Sequence, residues 1–159
     1  MPMQTVTLRP GDSAPDFTLP CNGGTSVTLS ALRPAKVVLF FYPKDNTPGC
    51  TLEAQGFSAA LAAFEAAGTK LIGISRDSVA SHDKFCAKHD LRLMLGSDAE
   101  GLVSEAYGTW AEKKLYGRAF MGMVRSTFLI DADGKIAQIW SPVKVKGHVE
   151  AVLAATEAL

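Results

Sequence analysis

The stretch VVLFFYPKDNTPGCTL, residues 37–52, joins an apolar run to a helix start and carries a cysteine at the junction. Residues 37–42 are apolar without interruption, which is typical of a strand buried on both faces. Pro43 has no N–H to donate to a central ladder, so it ends the strand. Thr47 and Pro48 then predict a helix start, since threonine suits the N-cap and proline the first helical position.

On this register Cys50 lies in the first turn of the helix, just beyond the C-terminal edge of the strand. Unpaired N–H groups and the positive end of the helix dipole favour a thiolate over a thiol at that place. The pattern therefore predicts a reactive cysteine. The alternative is that Cys50 is a small buried hydrophobe and that Thr47 serves only as an N-cap.

The composition predicts a soluble globular protein. Its 159 residues favour a single domain, residues 1–159, which is long enough to bury a core. Apolar residues make up 47% of the chain and charged residues 20%, and 16 basic residues balance 16 acidic ones. No basic run indicates a nucleic-acid partner, and no apolar run approaches the roughly 20 residues of a membrane span. Without a signal-peptide pattern at the N-terminus, we expect a cytoplasmic protein with no membrane partner.

The cysteines are three in number and widely spaced: Cys21, Cys50 and Cys86. An odd, scattered set does not predict a disulfide framework and fits a thiol-reducing compartment. The chain has no CxxC pair, which argues against a dithiol oxidoreductase of the thioredoxin type. Cys21 lies in a Pro-Cys-Asn-Gly-Gly turn and has no evident role.

Periodicity and turn signals predict an α/β fold with a central mixed sheet flanked by helices. Strands are predicted at residues 16–19, 26–29, 37–42, 70–75, 125–131 and 135–140, and helices at 51–67, 79–89, 100–107 and 147–158. Asp77 or Ser78 is expected to cap the helix at 79–89. A turn signal at Asn22-Gly23-Gly24 separates the first two strands, and a second at 131–134 closes the last two into a hairpin. This order of elements is the one that a thioredoxin-like fold requires.

The spacing Pro43-x3-Thr47-x2-Cys50 resembles the peroxidatic-cysteine signature of the peroxiredoxins. FYPKDNTPGCT is similar to the version found in the bacterioferritin-comigratory-protein or peroxiredoxin Q branch. The likeness continues to the C-terminus through SAPDFTL (13–19), RSTFLID (125–131) and DGKI (133–136). It implies the peroxiredoxin variant of the thioredoxin-like fold and a thiol peroxidase that reduces hydrogen peroxide and organic hydroperoxides.

Reduction of a hydroperoxide by a thiol needs a thiolate, an oriented O–O bond and stabilisation of charge on the departing oxygen. Cys50 is the expected nucleophile. Thr47 can donate its hydroxyl to the thiolate or the peroxide, as can the free N–H groups around Gly49. Pro43 can shield one wall of the site from water.

The resemblance places a fixed cation at Arg125, the first residue of RSTFLID. A guanidinium stays charged and offers several donors, so it can hold Cys50 as a thiolate and bind a peroxide oxygen. Glu53, one turn after Cys50, is expected to orient that arginine. Without the family, Arg125 is interpreted as a surface residue at a strand start, and Glu53 as an acidic residue favoured in a first helical turn.

Cys86 is the expected resolving cysteine, again from the resemblance. Many members of this branch carry the resolving cysteine five residues after the peroxidatic one, where this chain has Gln55. A second arrangement places it on the following helix, where Cys86 lies. The expected cycle oxidises Cys50 to a sulfenic acid, forms an intramolecular disulfide with Cys86 and returns through a thioredoxin- or glutaredoxin-like donor. The alternatives are an inert Cys86 and a one-cysteine cycle completed by an external thiol.

The histidines support rival hypotheses. His82, Cys86 and His89 fall at i, i+4 and i+7 of a predicted helix and so could hold a metal ion, although no fourth ligand is evident. A cysteine hydrolase or acyltransferase would pair Cys50 with a histidine base, yet His82, His89 and His148 lie outside recognisable motifs. A redox sensor without turnover is a further alternative. We predict no metal and no cofactor, a hydroperoxide substrate, and a monomer or weak dimer.

Overall fold

The structure, a computed structural model, describes residues 7–159, and residues 1–6 of the predicted domain lie outside this part. Its strands are β1 (Thr18–Cys21), β2 (Thr25–Thr28), β3 (Lys36–Phe41), β4 (Thr69–Ser75), β5 (Met94–Ser97), β6 (Trp110–Leu115), β7 (Arg118–Met123), β8 (Ser126–Ile130) and β9 (Ile136–Trp140). Its helices are α1 (Pro48–Ala59), α2 (Leu61–Ala66), α3 (Val79–His89), α4 (Leu102–Ala106) and α5 (His148–Ala158). Within residues 7–159, no helix combines the length and the apolar character needed to cross a membrane.

β3 lies inside the large sheet, whose strand order is β2-β1-β5-β4-β3-β8-β9. It pairs in parallel with β4, where Val38 faces Leu71, and antiparallel with β8, where Val38 faces Leu129. The connection from β3 to β4 runs through α1 and α2, which makes a βαβ unit. The predicted α/β fold with a central mixed sheet is therefore confirmed.

Both faces of β3 are buried, which explains its unbroken apolar sequence. Phe41 packs with Tyr107 in one cluster of buried side chains. Phe40 points to the other face and stacks on Phe57 with ring centroids 4.5 Å apart. This second cluster includes Cys50, so the strand that organises the sheet also forms a wall beside the cysteine.

The six predicted strands all form, with their ends shifted by at most two residues. α3 has its predicted bounds, and Ser78 caps it by accepting a hydrogen bond from Ser81 N at 3.1 Å. Serine is a preferred N-cap because its oxygen satisfies a backbone donor of the first turn.

Two predicted helices have different extents in the structure. The segment predicted as one helix at 51–67 begins at Pro48, as the Thr47-Pro48 signal predicts, and breaks at Ala60 (φ −92°, ψ 0°), so it becomes α1 and α2. The helix predicted at 100–107 is shorter, because Gly101 adopts a left-handed conformation (φ 77°) immediately before α4. Both differences come from local backbone geometry that hydrophobic periodicity does not report.

The sequence analysis missed β5 and the β6–β7 hairpin. β5 has the sequence MLGS, which is too short and too glycine-rich for an alternating pattern. Tyr116 and Gly117 join β6 to β7 and both have positive φ, 52° and 76°. Two such residues make the turn that matches the twist of a hairpin, but Tyr-Gly is a weaker signal for it than Asn-Gly or Asp-Gly.

Candidate active site

Cys50 lies in the first turn of α1, directly after the loop that follows β3. Pro48 opens the helix, and Thr51 N donates to Thr47 O at 2.8 Å. The cysteine is 2% exposed and belongs to the apolar cluster that contains Phe57. Its position at a helix start, beside N–H groups that have no partner within the helix, is the predicted one.

Arg125 lies in the short link between β7 and β8 and reaches α1. Its Nη2 donates to Cys50 Sγ at 3.3 Å and its Nη1 to Glu53 Oε1 at 2.8 Å. Gly49 permits this approach, since a Cβ there would lie 3.2 Å from Nη2. Burial lowers the pKa of Arg125, but Glu53 and Cys50 outweigh that effect and raise the pKa above its ordinary value. The structure thus brings three of the predicted residues into one hydrogen-bonded group.

Glu53 is fully buried. Burial raises the pKa of this carboxyl to about 7, and the charge of Arg125 opposes the shift. Oε1 accepts from Arg125, while Oε2 has no hydrogen-bond partner among the residues that the structure describes. The ionised form of Glu53 therefore depends on the arginine.

Thr47 occupies the N-cap position of α1, but within the described chain its side chain accepts no hydrogen bond from the helix N–H groups. The predicted capping role is therefore wrong. Oγ1 instead donates to Lys44 O at 2.9 Å, because a short loop offers the hydroxyl a nearby backbone carbonyl. In this arrangement its proton is not offered to Cys50. Pro43 is exposed in the same loop, next to the end of the strand.

Cys86 lies on α3 and is half-buried. Its Sγ accepts a hydrogen bond from Asn22 Nδ2 at 3.4 Å. Burial raises the pKa of the thiol to about 11, with smaller contributions from the carboxylates of Asp45 and Asp83. Cys50 and Cys86 are both free thiols in this structure. The folded helix therefore keeps Cys86 in its unreactive, protonated form.

The rival hypotheses for His82 and His89 find no support in the geometry. His82 is fully buried, with Nδ1 2.7 Å from Asp45 Oδ2 and Nε2 3.0 Å from Gly96 O. His89 Nε2 lies 2.8 Å from Asn46 Oδ1. Both nitrogens of His82 are already engaged, so it offers no lone pair to a metal ion or to a cysteine. Among residues 7–159, no cluster of three or more histidine, cysteine or acidic side chains forms a metal site.

His148 begins α5 and is also buried. Its Nε2 is hydrogen-bonded to Thr127 Oγ1 at 2.7 Å, and its ring packs edge-on against Phe57 and Trp140. Burial, assisted by the charge of Arg125, lowers the pKa of this histidine to about 4. His148 is thus a neutral side chain of the core near physiological pH.

Sequence reasoning missed two residues near the site. Asp45 is 6% exposed and accepts a hydrogen bond from Tyr42 Oη at 2.6 Å. Lys113 of β6 is half-buried; burial and then Arg125 lower its pKa, while Cys50 acts in the opposite direction. Aspartate and lysine are usually surface residues, so their residue types alone did not indicate Asp45 or Lys113. For Asp45 the available signal was its position inside the stretch that organises the fold.

Comparisons with known proteins agree with this geometry. The AhpC/TSA family matches residues 10–139. Peroxiredoxin Bcp of Xanthomonas campestris is 48% identical over 143 residues, which cover 90% of this chain and 89% of the relative. The solved structure of the bacterioferritin comigratory protein of X. campestris, described for its alkyl peroxide reduction activity, has a TM-score of 0.85 at 46% identity and covers 89% of this chain and 90% of its own. The solved structure of PrxQ from Xylella fastidiosa has a TM-score of 0.91 at 39% identity. The match covers 96% of this chain and 98% of the PrxQ chain.

Proposed function

Because the chain belongs to the AhpC/TSA family and is a peroxiredoxin, a thiol peroxidase, we propose that Cys50 is its peroxidatic cysteine and that Cys86 resolves the oxidised form. The observation that carries the first assignment is the 3.3 Å hydrogen bond from Arg125 Nη2 to a cysteine at a helix start. A guanidinium and a helix N-terminus both favour the thiolate, which is the nucleophile that peroxide reduction requires.

In the first step, Cys50 Sγ attacks the terminal oxygen of the hydroperoxide. An S–O bond forms, the O–O bond breaks, and the departing alkoxide or hydroxide takes a proton from water. The sulfur is thereby oxidised to a sulfenic acid. Arg125 stabilises the thiolate before the attack and the charge on the leaving oxygen during it. Glu53 accepts from the other arm of the guanidinium and so keeps it oriented.

Thr47 and Pro43 complete the proposed peroxide site. Since Thr47 Oγ1 donates its proton to Lys44 O, its lone pairs remain for the O–H of an incoming hydroperoxide. Pro43, which is exposed, limits the access of water on the solvent side. The X. campestris relative is described for alkyl peroxide reduction, so we propose organic hydroperoxides together with hydrogen peroxide as substrates.

In the second step, Cys86 attacks the sulfenic sulfur; a disulfide forms and the oxygen leaves as water. Disulfide bonding needs the two Cα atoms within about 7 Å, and we propose that α3 opens locally to bring the thiols together. Opening also activates Cys86, because the burial that raises its pKa to about 11 is lost. A thioredoxin- or glutaredoxin-like dithiol then returns both cysteines to the reduced state through a mixed disulfide.

A one-cysteine cycle is the second candidate. It is favoured by Gln55, which is exposed on α1 at the position where many relatives place their resolving cysteine, and by the high pKa of Cys86. In that cycle an external thiol attacks the Cys50 sulfenic acid directly.

Peroxide consumption by Cys50→Ser, Cys86→Ser and a Cys21→Ser control, with thioredoxin, glutaredoxin or dithiothreitol as donor, tests the proposal. We expect no turnover by Cys50→Ser with any donor, and normal turnover by the control. For Cys86→Ser we expect loss of thioredoxin-dependent turnover and a persistent sulfenic acid after one equivalent of peroxide.

Peptide mapping without reduction should find a Cys50–Cys86 cross-link within the oxidised wild-type monomer. Turnover by Cys50→Ser would contradict the peroxidatic assignment. Normal thioredoxin-dependent turnover by Cys86→Ser would instead establish the one-cysteine cycle.

A further inference from the structure

A buried polar network joins the loop before α1 to α3. Asp45 accepts hydrogen bonds from Tyr42 Oη at 2.6 Å and from Ser81 Oγ at 2.8 Å. Its Oδ2 also lies 2.7 Å from Nδ1 of His82, whose Nε2 donates to Gly96 O at 3.0 Å. One carboxylate therefore connects the residue after β3, the first turn of α3 and, through the imidazole, β5. None of these contacts serves the peroxide site described above.

The same loop also contacts the far end of α3. Asn46 Oδ1 is hydrogen-bonded to His89 Nε2 at 2.8 Å. Asp45 N donates to Asp77 Oδ2 at 2.8 Å, just before the helix begins. Loop residues 45–46 thus hold both ends of the helix that carries Cys86.

Polar contacts supplement a small apolar contact in fixing α3 to the rest of the molecule. Only two side chains of α3 are buried, Phe85 and His82, and the imidazole of His82 is the one bound to Asp45. Buried polar groups are costly to separate, because each partner left inside the protein loses its hydrogen bond. The contacts made by Asp45 therefore add to the free energy that opening α3 must overcome.

We propose that Asp45 and His82 are positioning residues that hold α3 closed and thereby set the rate at which Cys86 reaches oxidised Cys50. This inference rests on the proposed resolving role of Cys86. The loop that carries Asp45 leads directly into the first turn of α1, so the contacts that hold α3 start from the same segment that positions Cys50.

Asp45 restrains Cys86 in a second way. Burial and then the Asp45 carboxylate raise the pKa of the Cys86 thiol, so the closed helix also keeps the thiol protonated. Release of α3 removes both restraints together. The pair therefore limits the rate at which Cys86 attacks oxidised Cys50, without entering the oxidation step.

Asp45→Asn and Ser81→Ala test the proposal, with Asp98→Asn as the matched control. Asp98 is 2% exposed and accepts from Val103 N and Ser104 N, so its substitution also weakens a buried carboxylate but touches no residue of α3. Hydrogen exchange of the α3 amides is measured in the reduced proteins, and rapid mixing with peroxide separates the rate of Cys50 oxidation from that of disulfide formation.

For Asp45→Asn we expect about tenfold faster exchange in α3 and about tenfold faster disulfide formation, the ratio that corresponds to losing one hydrogen bond to a charged group. The oxidation rate should stay within twofold of wild type. Ser81→Ala, which removes a single hydroxyl at a partly exposed site, should change both quantities in the same direction by a smaller factor. Asp98→Asn should change neither.

Unchanged α3 exchange in both Asp45→Asn and Ser81→Ala would overturn the proposal, and so would faster exchange without faster disulfide formation. An equal slowing of oxidation and resolution would show a merely structural role and would also overturn it. Failure of Cys86 as the resolving residue is detected separately, since wild type would then form no Cys50–Cys86 cross-link while the exchange measurement would still report on the contacts between Asp45 and α3.

Discussion

At the scale of single residues, one guanidinium does two things: it contacts the Cys50 sulfur and it neutralises a buried carboxylate. Nη2 lies 3.3 Å from Cys50 Sγ and Nη1 lies 2.8 Å from Glu53 Oε1. Removing the cation should therefore destabilise the Cys50 thiolate. It should also leave Glu53 as a buried carboxyl without its arginine partner. The first effect is on the reaction rate and the second on stability, so two measurements distinguish them.

Arg125→Met keeps the length of the side chain and removes the charge. We expect the rate of Cys50 oxidation to fall by about ten- to a hundredfold, the range for one hydrogen bond to a charged group. Arg118→Met, an exposed arginine on the preceding strand, is the control and should oxidise normally. Rapid-mixing fluorescence follows the oxidation step; a rate within twofold of wild type would mean that the arginine is only structural.

Thr47→Val and Thr47→Ser separate the hydroxyl from the methyl group of this residue. Valine keeps the shape but loses the hydroxyl, which donates to Lys44 O and whose lone pairs would accept from the hydroperoxide, so the oxidation rate should fall by about tenfold. Serine keeps the hydroxyl and should retain most of the rate. Equal rates for both variants would contradict a role for the hydroxyl in peroxide binding.

Single residues of the site were predictable to different degrees. Cys50 carries a local signal, a strand followed by a helix start. Arg125 acts on it across 75 positions of sequence, and nothing in its own neighbourhood distinguishes it from a surface arginine; only the family resemblance indicated it. The Thr47 cap failed because threonine also bonds to nearby carbonyls, and the sequence does not choose between the two.

At the scale of elements, α3 shows what a sequence pattern leaves out. Its bounds and its Ser78 cap follow from local signals. The structure adds polar contacts from Asn22, Asp45 and Asn46, which come from distant parts of the chain. A local sequence pattern does not show which distant residues will contact a helix. How easily α3 opens could therefore not be predicted.

Gly56 gives a test of how α1 packs on α5. A Cβ at this position would lie 2.9 Å from Val149 Cγ2, so the glycine is there for close contact between the two helices. Gly56→Ala should destabilise the protein by about 1–3 kcal/mol through overpacking. Val149→Ala removes the clashing methyl group, so the double variant Gly56→Ala, Val149→Ala should lose less stability than the sum of the two single losses. Urea unfolding measures the free energy of unfolding of the two single variants and of the double variant. Losses that simply add would contradict the close contact between Gly56 and Val149.

At the scale of the whole molecule, two buried titratable groups act on stability in opposite directions over the same range of pH. Burial raises the pKa of Glu53 from 4.5 to about 7, so the folded state binds more protons than the unfolded state between those values, and stability falls as pH rises. Burial lowers the pKa of His148 from 6.5 to about 4, so there the unfolded state binds more protons and stability rises with pH. Their contributions should largely cancel in the wild type.

The core that buries both groups was predictable as far as β3 dictates it. The apolar run of β3 predicted a strand covered on both faces. The two clusters of buried side chains on either side of it contain most of the large buried residues. The β6–β7 hairpin was not predictable, because it forms a separate two-stranded sheet with several exposed residues and no strong turn signal. Charge interactions among Glu53, Arg125 and His148 depend on where these elements meet, which no local pattern contains.

Removing one of the two opposing groups should expose the pH dependence of the other. His148→Gln leaves the titration of Glu53 unopposed, so the free energy of unfolding should rise by about 3 kcal/mol on lowering the pH from 7 to 4.5. This figure corresponds to the rise in the pKa of Glu53 from 4.5 to about 7 on folding. Glu53→Gln leaves His148 unopposed, and its stability should instead fall as the pH drops from 6.5 towards 4. Urea unfolding across this range measures each profile, and the double variant supplies the baseline from all other groups. Profiles of His148→Gln and wild type that run parallel would show that the histidine is not held neutral in the folded state, because the unfolded and folded chains would then bind its proton equally.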